Sequence, residues 1–287
     1  MPQFRFKHFA LSHDRSTMKI GTDAMLLAAL CDASNARRIL DVGCGCGVVA
    51  FCAAQQAVLN SVNSVVYGID PDADSVAEAR SNACAYPLLP AENLHFEQAT
   101  IQEFAQHWQG GTFDLVLSNP PFFHGDLKPD HPRHLQSRHG DGNLSFAELL
   151  EGVLKILSAE GRFSLILPVR EGAEFDALAC RSLQCVRRVV VRPTERKLPH
   201  RMVLTYARTA DCPCREEHLT IRTADNRYTE AYLRLMEPYL ELRMKNWVLD
   251  LRLETFLKQP CRGKSLVDPH KRRRSAVWCR EEAPRKS

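Results

Sequence analysis

The run Ile39-Leu40-Asp41-Val42-Gly43-Cys44-Gly45-Cys46-Gly47 constrains the fold of this chain more than any other stretch. An apolar strand enters a turn with three alternate glycines, and the helical-looking Val48-Val49-Ala50-Phe51-Cys52-Ala53-Ala54-Gln55 follows. Glycine has no Cβ and tolerates positive φ, so backbone N–H groups at such a strand-to-helix turn can approach a bound ligand closely. The pattern predicts the ligand-binding end of an open α/β sheet.

The spelling is D-x-G-x-G-x-G. A dinucleotide turn, G-x-G-x-x-G, would need glycine where Val48 stands. An acid two residues before the first glycine opposes a pyrophosphate but suits a cationic amino group. That favours the methionine end of S-adenosylmethionine over NAD, with a ligand-free glycine turn as the plain alternative.

The flanking segments read as a βα series. Phe4 to Phe9 alternates aromatic and basic residues, as a short arm with one apolar face does. Met18-Lys19-Ile20-Gly21-Thr22-Asp23 precedes an apolar helix from Ala24 to Leu30, which Thr22 or Asp23 is expected to cap and which lies where it can cover the cleft. Ser64 to Asp70 is a strand ending in an acid 23 residues after Gly47, placed to accept hydrogen bonds from ribose hydroxyls or to cap the next helix. Pro71 is expected to open that helix, which runs to about Ala83. Leu94 to Gln98 is a third strand, Ile101 to Trp108 a short helix, and Phe113 to Ser118 a fourth strand. Later come a helix over Ser145 to Leu157, a strand from Gly161 to Leu167, a helix over Ala173 to Cys180, and strands at Val186 to Val191 and Met202 to Tyr206.

The fourth strand runs directly into Asn119-Pro120-Pro121-Phe122. Consecutive prolines fix the chain direction and lack N–H donors, leaving the Asn119 amide and the Pro120 carbonyl as acceptors in the cleft. Two acceptors beside the Phe122 ring recognise a planar amino group, and accepting its two hydrogens favours the tetrahedral nitrogen that attacks a sulfonium methyl. A purely structural turn is the alternative for this step taken alone.

With these residues in view, the body from Phe6 to Leu240 resembles the bacterial tRNA1(Val) adenine-37 N6-methyltransferases, of the class I S-adenosylmethionine-dependent type. The resemblance rests on Phe6-Lys7-His8-Phe9, His13-Asp14-Arg15, Met18 to Asp23, the glycine turn, Asn119 to Phe122, Leu198-Pro199-His200-Arg201 and Tyr228-Thr229-Glu230. It implies a Rossmann-like fold with a mostly parallel seven-stranded sheet, an antiparallel last strand and helices on both faces. Asp41, Gly43, Cys44, Gly45 and Gly47, with Lys19, Gly21 and Thr22, would surround the cofactor's methionine part, and Asp70 its ribose. Asn119, Pro120 and Phe122 would carry the chemistry at adenine N6, with Arg138, His200 and Arg201 on the RNA. The family often has an acid contacting the cofactor's adenine where this chain has Ala99-Thr100, so the Thr100 hydroxyl would take that contact, with Asn119 also at the cofactor, and the family often has tyrosine where Phe122 stands. A guanine-N2 rRNA methyltransferase and a glutamine-N5 protein methyltransferase share the Asn-Pro-Pro step. The first usually has a duplicated domain and the second a separate N-terminal helical domain.

Charge and cysteine usage bear on partners. Residues 241–287 hold 13 Lys and Arg against 6 Asp and Glu, while the whole chain is only +4, so the tail is basic and the body mildly acidic. One methyltransferase domain over 1–240 and a basic, disordered tail over 241–287 are expected. His124, Lys128, His131, Arg133, His134, Arg138 and His139 lie between Phe123 and Asn143, and Arg192, Arg196, Lys197, His200 and Arg201 between the last two strands. Either group suits RNA phosphates or a solvated loop equally. Eleven scattered cysteines, an odd number, with no leader pattern at Met1 to Arg5, read as reduced thiols of a cytoplasmic, monomeric enzyme. No metal spacing and no membrane span is apparent, so the expected partner is tRNA.

Overall fold

The computed structural model describes residues 3–121, 144–210 and 213–241, together with the backbone of 244–245 and 248–249. Phe122, Arg138 and the rest of 123–143, and the basic run Lys271 to Arg274, lie outside the described residues.

The arm forms a two-stranded antiparallel ribbon, β1 (Phe4–Arg5) and β2 (Ala10–Leu11). Its aromatic face is buried: Phe6 stacks on Phe9 at 4.4 Å, and Phe9 meets the edge of Tyr86 at 5.1 Å. Then follow α1 (Thr22–Leu30), β3 (Arg38–Val42), α2 (Val48–Leu59), β4 (Val65–Asp70), α3 (Ala73–Ala85), β5 (Leu94–Gln98), α4 (Ile101–His107) and β6 (Phe113–Ser118). After the 122–143 segment come α5 (Phe146–Ile156), β7 (Leu157–Pro168), α6 (Val169–Ala179), β8 (Gln184–Thr194), β9 (Arg201–Ala207), β10 (Arg215–Arg222) and α7 (Glu230–Met236). Two short paired strands at Met244–Lys245 and Val248–Leu249 end the described chain.

The main sheet has the order β10-β8-β9-β7-β6-β3-β4-β5. Strands β3 to β7 are parallel, β9 runs antiparallel to both β7 and β8, and β10 joins β8 in parallel. The fold is the expected class I methyltransferase α/β arrangement with helices flanking a mostly parallel sheet. It carries one strand beyond the expected seven, because Arg215–Arg222 pairs along the β8 edge. Strand alternation on β3 divides the core: Leu40 and Val42 face α4, α5 and α6, whereas Asp41 reaches α2 on the other side. Helices α1 and α2 pack on each other, and every residue of Val48–Gln55 is buried, which is why these segments show no polar face in the sequence.

Two helix starts differ from the sequence reading. Helix α1 begins at Thr22 behind Gly21, with no side-chain cap, because the Asp23 carboxylate is taken by Arg201 at 2.8 Å. Helix α3 begins at Ala73 rather than at Pro71, because Asp72 is the N-cap and accepts from the Ser75 N–H at 2.9 Å. The fifth parallel strand also starts earlier than Gly161, at Leu157, directly after α5.

Helices α4 and α5 touch through Gly152. A Cβ built there would lie 2.4 Å from Cγ1 of the buried, β-branched Ile101 and 3.4 Å from its carbonyl oxygen. Gly→Ala inside a helix ordinarily stabilises by about 1 kcal/mol. Here overpacking reverses the sign, and G152A should destabilise the protein by about 1–3 kcal/mol, read as a lowered urea midpoint at unchanged slope.

Candidate functional site

Of the residues singled out by sequence, Lys19, Gly21, Thr22, Gly43, Cys44, Gly45 and Asn119 meet at the carboxyl edge of the parallel strands, where ligands of open α/β sheets bind. After β3 the chain turns through Gly43, Gly45 and Gly47 at φ +74°, +54° and +87°. The Gly43 and Cys44 N–H groups donate to the Ile69 carbonyl at 2.8 and 3.0 Å, and the Gly45 N–H donates to Asp70 Oδ2 at 2.9 Å. A Cβ at Gly43 or Gly45 would meet nothing within 4 Å, so these two glycines open a floor of bare backbone. Gly47 answers a packing need instead, since a Cβ there would sit 2.6 Å from the Phe51 ring.

Two buried carboxylates brace this turn from beneath. Asp41 is 1% exposed, and its Oδ2 accepts from the Ala50 N–H at 3.1 Å, at the start of α2. Burial pushes its pKa up to about 7, opposed by the Ala50 bond and aided by the Asp70 charge. Asp70 joins the turn to α3: one oxygen takes the Gly45 N–H and the other the Asp72 N–H, at 2.9 Å each. Burial raises its pKa as well, with those two hydrogen bonds pulling the other way.

Above the turn lies a cavity of about 240 Å³, bounded by Met18 to Ala24 without Ile20, by Gly43 to Cys46, by Val48 and Val49, and by Asn119. The covering segment is anchored from α3. Glu78 accepts the N–H groups of Asp14, Arg15 and Ser16 at 2.7, 3.0 and 2.9 Å, and Asn82 bridges Ser12 and the Cys46 carbonyl. Those bonds outweigh the cost of Glu78's burial and hold its pKa below the usual range. Lys19 spends its ammonium on the His13 and Asp14 carbonyls at 2.6 and 2.8 Å. The i, i+4 pair Glu78 and Asn82 was missed by sequence reasoning, although their spacing on one face of a predicted helix was the available signal.

Asn119 closes the far end of the cavity. It follows Ser118, whose hydroxyl donates to the Val42 carbonyl at 3.0 Å, and precedes the buried Pro120. The Asn119 Oδ1 atom is shut off from solvent and has no hydrogen-bond partner among the described residues. A buried amide oxygen left in that state costs free energy, and a ligand amino group would satisfy it.

Other designated residues sit differently. Thr100 is the N-cap of α4 in a capping box, its hydroxyl donating to Glu103 Oε2 at 2.8 Å and accepting the Glu103 N–H at 3.2 Å. Arg201 is half-buried on Asp23, and His200 bonds the Val191 carbonyl, with burial the main cause of its lowered pKa. A larger hollow of about 480 Å³ opens beside β4 and β5, between Tyr67, His95 and Trp108, and contains none of the designated residues. Among the described residues no helix is long and apolar enough to cross a membrane, and no cluster of His, Cys, Asp or Glu is arranged to hold a metal.

Residues 33–232 match the family described as Methyltransferase domain. The chain belongs to that family. This methyltransferase is 32% identical over 237 residues to a protein of Photorhabdus laumondii named tRNA1(Val) (adenine(37)-N6)-methyltransferase, covering 82% of this chain and 94% of the relative. Proteins of the same name from Trichodesmium erythraeum and Tolumonas auensis are each 34% identical, covering 83% and 84% of this chain and 97% of each relative. Among solved structures, an Agrobacterium tumefaciens protein described as a predicted O-methyltransferase aligns with TM-score 0.57 at 19% identity, over 76% of this chain and 96% of the other. A type I restriction-modification methyltransferase subunit of Streptococcus thermophilus gives TM-score 0.51 at 17% identity, over 77% and 52%. At these identities the structural matches establish the fold alone.

The cofactor of this methyltransferase is S-adenosylmethionine, and the residues present fit it. The floor over Gly43 and Gly45 is open, buried acids lie beneath, and an unpartnered acceptor stands at the cavity's far end. The buried acids also set a pH dependence. Asp41 has a folded pKa above its unfolded value, so its contribution is fully present below about pH 4 and is lost as pH rises through about 7. D41N removes that loss. Without cofactor, the variant should gain on the wild type between pH 4 and pH 8, by at most about 4 kcal/mol, in melting curves taken at each pH.

Proposed function

We propose that this methyltransferase transfers a methyl group to the exocyclic N6 of adenine 37 in the anticodon loop of tRNA1(Val). The observation behind it is the solvent-excluded Oδ1 of Asn119, unpartnered among the described residues, at the end of the cavity over the glycine turn. The names of the relatives at 32–34% identity support the same substrate.

In this reading Gly43, Cys44 and Gly45 present bare backbone to the methionine part of the cofactor. Asp41 supplies negative potential from below, and Met18 to Thr22 cover the cleft. Asp70, at the end of β4, is placed for the ribose once the turn yields one of its oxygens. When bound, S-adenosylmethionine supplies an electrophilic sulfonium methyl group. The chain supplies position and acceptors. Asn119 Oδ1 and the Pro120 carbonyl take the two amino hydrogens of the adenine, which draws the nitrogen toward tetrahedral geometry and frees its lone pair along the line of transfer. Phe122 stacks on the flipped base. Neither a covalent intermediate nor a metal is required. Lys19 and Arg201 act as positioning residues for the covering segment, one tying it to residues 13–14 and the other holding Asp23. Thr100 serves the α4 cap.

The test is to incubate the protein with methyl-labelled S-adenosylmethionine and separate pools of unmodified tRNA, rRNA and release factor, then digest and identify the product. Label in N6-methyladenosine from tRNA is expected. Label only in N2-methylguanosine or N5-methylglutamine would reject the proposal. N119A should lower kcat by roughly 100-fold or more while cofactor affinity changes by less than about threefold.

A further inference from the structure

The cations of the β8–β10 region fall into two groups. Arg187 makes a two-pronged pair with Glu217 at 2.8 and 3.1 Å, and Arg188 bridges Asp176 and Glu216 at 2.6 and 3.1 Å. Arg201 is held by Asp23, Arg222 lies 3.9 Å from the Tyr228 ring centre, and Arg227 pairs with Asp225. These residues are occupied in joining strands and loops. Arg192, Arg196 and Lys197 make no ion pair and no side-chain hydrogen bond among the described residues, and Arg196 and Lys197 are exposed.

The three lie at one place in the fold. Strand β8 points the same way as β7, since both are antiparallel to β9, so β8 ends at the carboxyl edge that holds the glycine turn and Asn119. Antiparallel β9 starts at that edge, and its first residue, Arg201, is bound to Asp23 of the cavity wall. The connection from Glu195 to His200 therefore turns at the same edge of the sheet as the proposed active site and ends next to Arg201, which is bound to its wall.

That connection is fastened at several points. The Glu195 N–H donates to the Arg222 carbonyl at 3.2 Å, Lys197 N–H to Thr194 at 3.1 Å, and His200 N–H to Val191 at 3.0 Å. The one acid in it, Glu195, is turned away to accept the Ala224 N–H at 2.9 Å, and His200 is kept toward its neutral form. At the tip stands Leu198, 83% exposed, the most exposed large hydrophobic side chain among the described residues. This tied loop displays an aliphatic side chain to water after three cations that are unpaired among the described residues. It has the layout of a nucleic-acid wedge, with cations for flanking phosphates and an apolar tip for the gap left by an extruded base.

Building on the RNA reading above, we propose that Arg192, Arg196 and Lys197 grip the RNA backbone and that Leu198 inserts into the base stack vacated by the target nucleotide. Leu198 is thus a positioning residue for base extrusion. It touches neither the cofactor nor the transferred methyl group.

The full chain is tested on two RNAs, an unmodified anticodon stem-loop with 2-aminopurine next to the target adenine and a seven-nucleotide single strand of the same loop sequence. L198A should lower the ratio of turnover on the stem-loop to turnover on the single strand by about tenfold and reduce the 2-aminopurine fluorescence rise on binding; L198M should restore both. The double variant R196A/K197A should weaken binding to both RNAs and flatten the plot of log affinity against log salt by about 1.4, two phosphates at about 0.7 each. An unchanged turnover ratio and fluorescence rise in L198A, an equal loss on both RNAs, or an unchanged salt slope in the double variant would overturn the assignment. If the wild type binds RNA but methylates none, the proposed activity falls while the fluorescence and salt readings still decide the role of this loop. If it binds neither RNA, both proposals fail.

Discussion

The Asp70 carboxylate is the tie on which the site depends. Its two oxygens join the glycine turn after β3, through Gly45, to the start of the next βα unit, through Asp72. From there the support continues along α3. Glu78 and Asn82 fasten residues 12–16, Lys19 fastens its own segment to residues 13–14, and Asp23 closes the circuit on Arg201 at the head of β9. The cavity is therefore framed by hydrogen bonds and one ion pair, most of them from buried or half-buried groups and those of Lys19 from an exposed one. A buried carboxylate is costly unless it is satisfied; Asp70 and Glu78 are satisfied by backbone N–H groups of the segments they position, whereas Asp41 has one such bond and a raised pKa.

The antiparallel strand has a functional consequence that its place in the sheet order conceals. Parallel strands deliver only their ends to the ligand edge. Because β9 runs the other way, it delivers its beginning, bringing Arg201 and the loop before it to the same edge as Gly43 and Asn119. Two segments far apart in sequence, Lys19 to Asp23 and Leu198 to Arg201, meet through the Asp23–Arg201 contact at 2.8 Å.

Much of this was legible in the sequence where a local rule decides structure. The glycine turn, the four strands from Ile39 to Ser118 and the helix after Val48 follow from apolar periodicity and turn chemistry, which act over a few residues. Helix starts were less legible, because the cap is decided by competition. Asp23 has the chemistry of a cap, but an arginine 178 residues away takes its carboxylate, and Pro71 could open α3 had Asp72 not done so. The roles of Glu78 and Asn82 were hidden for the same reason, since their partners lie about 60–70 residues earlier. By sequence Asp41 and Asp70 are ligand contacts. In the structure Asp70 also braces the turn at Gly45 and Asp41 the first turn of α2 at Ala50, duties visible only once β3 and β4 are side by side.

In this protein the glycine turn and Asn119 are proposed to be two halves of one methyl-transfer site. A crystal structure of the protein with bound S-adenosylhomocysteine tests it most directly. The sulfur atom is expected above the Gly43–Gly45 backbone, with the side the methyl group would occupy facing Asn119 Oδ1. The product bound instead in the hollow between Tyr67 and Trp108, or lying with its sulfur turned away from Asn119, would contradict it.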